Sequence, residues 1–118
     1  MHELAIAEGI VRIAVEHAGD RRVTKVELKV GHLRQVVPSA LAFGFELVAR
    51  GTVVEGAELE IDEVPARVRC ERCGAEAELP GFPLCCAACG SLDVAVTGGE
   101  ELHVEALEVD SVLTTKET

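Results

Sequence analysis

A chain of 118 residues has room for one ordinary core and a small appendage, which excludes multidomain machinery. Its 48% hydrophobic content is carried by Ala, Val, Leu and Ile, with three Phe and neither Trp nor Tyr, so stacking platforms for single-stranded bases are missing. Eleven Lys+Arg against 21 Asp+Glu leave a formal charge of −10, which repels a phosphate backbone and argues against nucleic acid as a partner.

From Leu4 to Ala18 the apolar residues Leu4, Ala7, Val11, Ala14, Val15 and Ala18 recur at helical spacing, widened by Ile6, Ile10 and Ile13. Gly19-Asp20 stops this first helix. Val23 to Val30 then alternates, with Val26, Leu28 and Val30 on one face and Lys25, Glu27 and Lys29 on the other, as a half-buried strand does. Pro38-Ser39 opens a second helix, with Ser39 as the expected N-cap and Leu41, Phe45, Val48 and Ala49 as its apolar stripe. Leu59 and Ile61 alternate with Glu58, Glu60 and Asp62 in a second strand, and Leu102, Val104 and Ala106 mark a third. The phase of the third slips at Leu107 and Val109, the mark of a bulge or a strand end. The fold class expected is α+β: two helices packed on a three-stranded antiparallel sheet.

Between the second and third strands, residues 65–99 differ in character. They hold all five cysteines, three of the four prolines and the Gly98-Gly99 turn. A piece of about 30 residues cannot bury enough apolar area to fold unaided and needs a metal, disulfides or a partner. The expected organisation is therefore a main domain over 1–64 and 100–112, an inserted module over 65–99, and a flexible tail over 113–118.

Cys70-Glu71-Arg72-Cys73-Gly74 and Cys86-Ala87-Ala88-Cys89-Gly90 repeat one pattern, C-x2-C-G, with twelve residues between Cys73 and Cys86. Each half is a tight turn that brings two thiolates together. The glycine that follows can take positive φ, so that backbone N–H groups face sulfur. Two such turns make a tetrahedral cage of four sulfurs, which suits structural Zn²⁺ and leaves no coordination position open. A redox dithiol or an iron site is the competing reading. Four thiolates around a divalent ion leave a net formal charge of about −2, and Arg67, Arg69 and Arg72 lie near enough in sequence to answer it. Cys85, beside Cys86, reads as a small apolar filler or a spare thiol, because pairing it with Cys89 would lose the tight-turn spacing. An odd number of cysteines in Cys-x-x-Cys pairs fits a reducing compartment. No apolar run approaches the roughly 18 residues of a membrane span, and Met1-His2-Glu3 has no basic leader. A cytoplasmic protein without membrane attachment is expected.

The amino terminus offers an amine, the peptide N–H of His2 and its imidazole in succession. These close a five- and a six-membered chelate ring around one cation. Amine and deprotonated amide nitrogens are strong-field planar donors, which suit Ni²⁺ or Cu²⁺ and poorly suit Zn²⁺ or Mg²⁺. His17 at the end of the first helix reads as a dipole-compensating residue, and His32 and His103 carry no stronger reading. For an enzyme there is no activated nucleophile with a plausible base, no phosphate-cradling glycine loop and no open metal position.

The order of these features resembles a known family. Met1-His2-Glu3-Leu4 at the start, Val26-Glu27-Leu28-Lys29-Val30-Gly31-His32-Leu33, Leu41-Ala42-Phe43-Gly44-Phe45-Glu46-Leu47, Gly51-Thr52-Val53-Val54-Glu55-Gly56-Ala57 and the paired Cys motifs are similar to the HypA/HybF hydrogenase nickel-incorporation family over nearly the whole chain. The resemblance implies a nickel metallochaperone with a zinc-ribbon-like four-cysteine module inserted before the last strand. By family correspondence nickel falls to Met1, His2 and Glu3, and zinc to Cys70, Cys73, Cys86 and Cys89. The partners implied are a HypB-type GTPase and the large subunit of [NiFe]-hydrogenase, with urease served in some bacteria. A homodimer through an exposed strand edge is left open, and Cys85 departs from the basic motif. The alternative from another class is a zinc-ribbon adaptor that engages a protein and has no nickel role.

Overall fold

A computed structural model describes residues 2–110; Met1 and the expected tail over 113–118 lie outside the described residues. In chain order the elements are α1 (His2–Ala18), β1 (Val23–Gly31), a 3-10 turn (His32–Arg34), α2 (Pro38–Ala49), β2 (Glu58–Val64), β3 (Ala66–Cys70), β4 (Glu76–Leu79), β5 (Val94–Gly98) and β6 (Leu102–Val109). They form two three-stranded sheets, ordered β2-β1-β6 and β4-β3-β5. This is the expected α+β class, and the cysteine-bearing stretch carries a three-stranded sheet of its own.

The chain divides into two compact units. One takes the chain up to Leu28, Val36–Asp62 and the chain from His103; the other takes Lys29–Gln35 and Glu63–Leu102. In the first unit Ala7, Ile10, Val11, Ala14 and Ala18 of α1 are buried with Leu41, Phe45 and Ala49 of α2, and with Val23, Val26 and Leu28 of β1. Small residues let the two helices approach: a methyl placed on Gly44 would lie 3.5 Å from both Ala7 Cβ and Leu4 Cδ1. Phe43, on the same helix, is 63% exposed and takes no part in that core.

α2 begins differently from the sequence expectation. Its N-cap is Val37, with no side-chain cap, and Pro38 fills the first turn, which places Ser39 inside the helix. Proline has no N–H to satisfy, and its fixed φ is ready-made for a first helical position, so a hydroxyl cap is dispensable here. In β6 the run Glu105-Ala106 is exposed at both positions before alternation resumes, which is the slip expected at Leu107.

In the second unit β3 is the central strand. It pairs antiparallel with β4 (Arg67↔Glu78, Val68↔Ala77) and with β5 (Val68↔Val96, Cys70↔Val94), with a register shift between Arg67 and Val68. From 63 to 102 the buried apolar side chains are Ala66, Val68, Cys70 and Cys86. Half of that small core is sulfur. The last residues of β1 and the 3-10 turn are bound to the chain around Gly99: Gly31 N–H donates to Glu101 O (2.7 Å), Leu33 N–H to Gly99 O (2.9 Å) and Arg34 Nε–H to Glu100 O (2.9 Å). The backbones approach so closely that a methyl on Gly31 would fall on the Gly99 carbonyl.

Two helix and strand glycines should therefore respond oppositely to alanine. Gly31→Ala should destabilise by about 1–3 kcal/mol or more, since backbone must move to admit the methyl. Gly9, in α1 with nothing within 4 Å of an added Cβ, should gain about 0.5–1 kcal/mol as Gly9→Ala. Denaturant unfolding of both variants checks the pair.

Candidate functional site

The four motif cysteines converge. Their ligating sulfurs all lie within 4.8 Å of one another, and no other group of three or more His, Cys, Asp or Glu among the described residues does so. Cys70 Sγ is 3.8 Å from Cys89 Sγ, and Cys73 Sγ is 3.6 Å from Cys86 Sγ. A tetrahedral ion with metal–sulfur bonds of about 2.3 Å requires sulfurs about 3.8 Å apart. These two separations match a Zn²⁺ cage.

Two equivalent turns build it. Gly74 N–H donates to Cys70 O (3.0 Å) and Gly90 N–H to Cys86 O (2.8 Å), while the N–H groups of Cys70 and Cys86 donate to Ala75 O and Ser91 O, each at 2.8 Å. Gly74 and Gly90 take φ of 79° and 77°, a conformation that side-chain-bearing residues avoid. The turns aim N–H groups at sulfur: those of Arg72 (3.3 Å) and Cys73 (3.4 Å) at Cys70 Sγ, and those of Ala88 (3.3 Å) and Cys89 (3.4 Å) at Cys86 Sγ. These are the amides expected from the C-x2-C-G turns, and they supply counter-charge that the sequence also sought in Arg67, Arg69 and Arg72. Arg67 and Arg69 pair instead with Glu78 (2.9 Å) and Glu71 (3.7 Å), so Arg72 is the arginine that reaches a ligand, and it does so through its backbone.

The amides split the thiols into two kinds. The N–H groups of Cys73 and Arg72 lower Cys70, and those of Cys89 and Ala88 lower Cys86, to about 6, against the opposing effect of burial. At Cys73 the Ala75 N–H pulls down, but hydrogen bonds with the Cys86 and Cys70 sulfurs outweigh it and push this thiol up to about 11. At Cys89 the Ser91 N–H pulls down and is outweighed in the same way, by Cys86 and Cys70. Protons are thus held more firmly by the exposed pair, Cys73 and Cys89, than by the buried pair, Cys70 and Cys86. Cys85 is half-buried and outside the cluster.

Of the other histidines and the terminal residues, His2, Glu3, His17 and His103 lie in the first unit and His32 in the second. His2 is exposed and begins α1. Its Nε2 lies 3.6 Å from Glu3 Oε2, and that same oxygen accepts the Val37 N–H at 3.0 Å. The bond from Val37, then one from Glu3's own N–H, holds the Glu3 carboxyl below the usual carboxylate range. His17 Nδ1 bonds Ile13 O (2.9 Å) at the end of α1, His32 lies 3.4 Å from Glu63, and His103 lies 2.8 Å from Glu105. None of these three histidines joins a cluster of three donors.

A family model described as "Hydrogenase/urease nickel incorporation, metallochaperone, hypA" matches residues 1–109. The chain belongs to the HypA family. Hydrogenase maturation factor HypA of Geobacter metallireducens is 46% identical over 110 residues, covering 93% of this chain and all of that protein. Hydrogenase maturation factor HypA of Nostoc sp. is 42% identical over 113 residues, covering 95% of this chain and 98% of its own length. The solution structure of the Ni metallochaperone HypA from Helicobacter pylori superposes with a TM-score of 0.63 at 20% identity, over 91% of this chain and 96% of that one. That likeness bears out the fold, including the zinc-ribbon-like four-cysteine module. No helix among the described residues is long and apolar enough to cross a membrane.

Because Cys73 and Cys89 are the thiols held above their ordinary range, zinc must displace their protons, and its affinity should fall as pH falls. Competition with a chelator across pH 6 to about 8 reads this directly. Cys73→Ser should lose zinc and speed amide exchange between 65 and 99 while α1 and α2 stay protected. Cys85→Ser should keep zinc, as metal analysis would show.

Proposed function

We propose that this chain is a nickel carrier that binds Ni(II) at its amino terminus and, with a HypB-type GTPase, passes it to the large subunit of [NiFe]-hydrogenase during maturation. Zn(II) on Cys70, Cys73, Cys86 and Cys89 holds the inserted module over 65–99. The nickel set is the Met1 amine, His2 and, by family correspondence, Glu3, in the domain over 1–64 and 100–112. The work is carriage in the cytoplasm, without a catalytic residue. The observation that carries this reading is the nickel-incorporation family match across residues 1–109, in a chain whose His2 stands exposed at the first turn of α1.

The chemistry of a helix start supports it. The first N–H groups of a helix have no intrahelical acceptor, so the His2 amide can surrender its proton to a metal without breaking a helical hydrogen bond. The positive end of the α1 dipole opposes a cation there by about 0.3–1 kcal/mol, up to roughly fivefold in affinity. That opposition suits an ion that must leave again. The sulfur cage is the reverse case, a closed donor set without a place for an incoming ligand. Protons compete with the ion for all three terminal nitrogens, the α-amine, the His2 amide and the imidazole. Nickel is accordingly released as pH falls.

His2→Ala should abolish nickel binding and leave zinc in place, and an extension before Met1 should do the same. Metal analysis after a nickel titration of protein with its native terminus decides between this reading and a zinc-ribbon adaptor, which predicts equal nickel uptake by all three proteins. A drop of two pH units should release the bound nickel, with zinc retained longer.

A further inference from the structure

We propose that Glu3 is a positioning residue, not a nickel donor: its carboxylate, gripped by the N-cap of α2, accepts the outer ring N–H of His2 and sets the plane of the imidazole that binds the ion. This rests on the nickel reading above for the amino terminus and His2, and departs from it at one point: the Glu3 carboxylate leaves the donor set and becomes the support of the imidazole.

Ring size decides which imidazole nitrogen faces the metal. From the His2 amide nitrogen, a six-membered chelate closes through Cα, Cβ, Cγ and Nδ1; closure through Nε2 would need a larger, strained ring. Nδ1 therefore takes nickel and Nε2 carries the proton. Metal-bound imidazoles characteristically donate that second N–H to a carboxylate or carbonyl, which fixes their orientation. Here Nε2 lies 3.6 Å from Glu3 Oε2, a few tenths of an ångström outside hydrogen-bond range and within reach of a small ring rotation.

The carboxylate is not free to swing inward as a ligand. The oxygen that faces His2 accepts the Val37 N–H at 3.0 Å. Val37 has φ −88° and ψ 112°, and is followed by Pro38 in the first turn of α2, so the donor is held by a stiff piece of backbone. The Glu3 side chain is 17% exposed, against 56% for His2. One oxygen thus joins the start of α1 to the start of α2 and presents its remaining lone pair to the imidazole.

The test titrates nickel, at one pH, into wild type, Glu3→Ala, Glu3→Gln, Val37→Pro and His2→Ala, each with its native terminus. Calorimetry gives affinity and absorption gives the nickel bands. Glutamine keeps an oxygen that can accept both N–H groups, whereas alanine keeps neither bond. Val37→Pro deletes the gripping donor at a φ close to proline's own and leaves residues 1–3 untouched. The expected result is about a tenfold to hundredfold loss of affinity in Glu3→Ala and Val37→Pro, recovery to within about threefold in Glu3→Gln, and unmoved nickel bands in all three. Zinc content and thermal unfolding confirm that each variant is folded. If Glu3→Gln falls as far as Glu3→Ala, or the bands shift, the carboxylate is a ligand and the proposal is overturned. Unchanged affinity in Glu3→Ala or Val37→Pro overturns it equally. If His2→Ala keeps its nickel, the terminal site itself is wrong, a failure distinct from the others.

Discussion

The convergence of four sulfurs is the constraint on which the second unit depends. Between 63 and 102 the buried apolar side chains come down to Ala66 and Val68 besides the two inner cysteines, too little area to offset the ordering of three short strands. The register of β3 against β4 and β5 matters because it delivers Cys70 at the end of the central strand, from which the first turn departs. Cys86 opens the matching turn on the other side of the cage. A metal held by the four sulfurs would therefore contribute folding free energy to this unit outright.

Within the cage, backbone does the electrostatic work. Two amides directed at each inner sulfur lower the charge density that four thiolates would otherwise concentrate, and they do so without a cationic side chain. The arginines of β3 are used across and along the sheet, against Glu78 and Glu71. Such exposed pairs contribute little to stability, about 0.2–1 kcal/mol each.

The first unit works by the opposite principle. Its helices pack through small residues, Ala7 against Gly44, which keeps the start of α1 beside the start of α2 and places Glu3 within reach of Val37. The Pro38 start of α2 has no side-chain cap, and the Val37 amide that precedes it is satisfied by a carboxylate from another helix. His2 thus stands exposed beside a carboxylate that is anchored to the next helix.

Much of this was legible from residue order. Helical and alternating periodicity marked α1, β1, β2, β6 and the slip within β6, because each buries one face and the pattern follows directly from the period of the backbone. The paired C-x2-C-G motifs announced their turn, their glycine conformation and their donor set, since all three are local. The strands β3, β4 and β5 were missed: five, four and five residues long, they are held by cross-strand partners and by the cage, not by a hydrophobic stripe of their own. Ser39 misled as a cap because the helix starts one residue earlier, at Pro38, which places the serine inside the first turn. Chemistry confined to neighbours in the chain, as in the two sulfur turns, was determined by the sequence alone. The Glu3–Val37 bond spans 34 residues and the Gly31–Gly99 approach 68, and only the tertiary structure decided them, because each depends on where the two backbones meet.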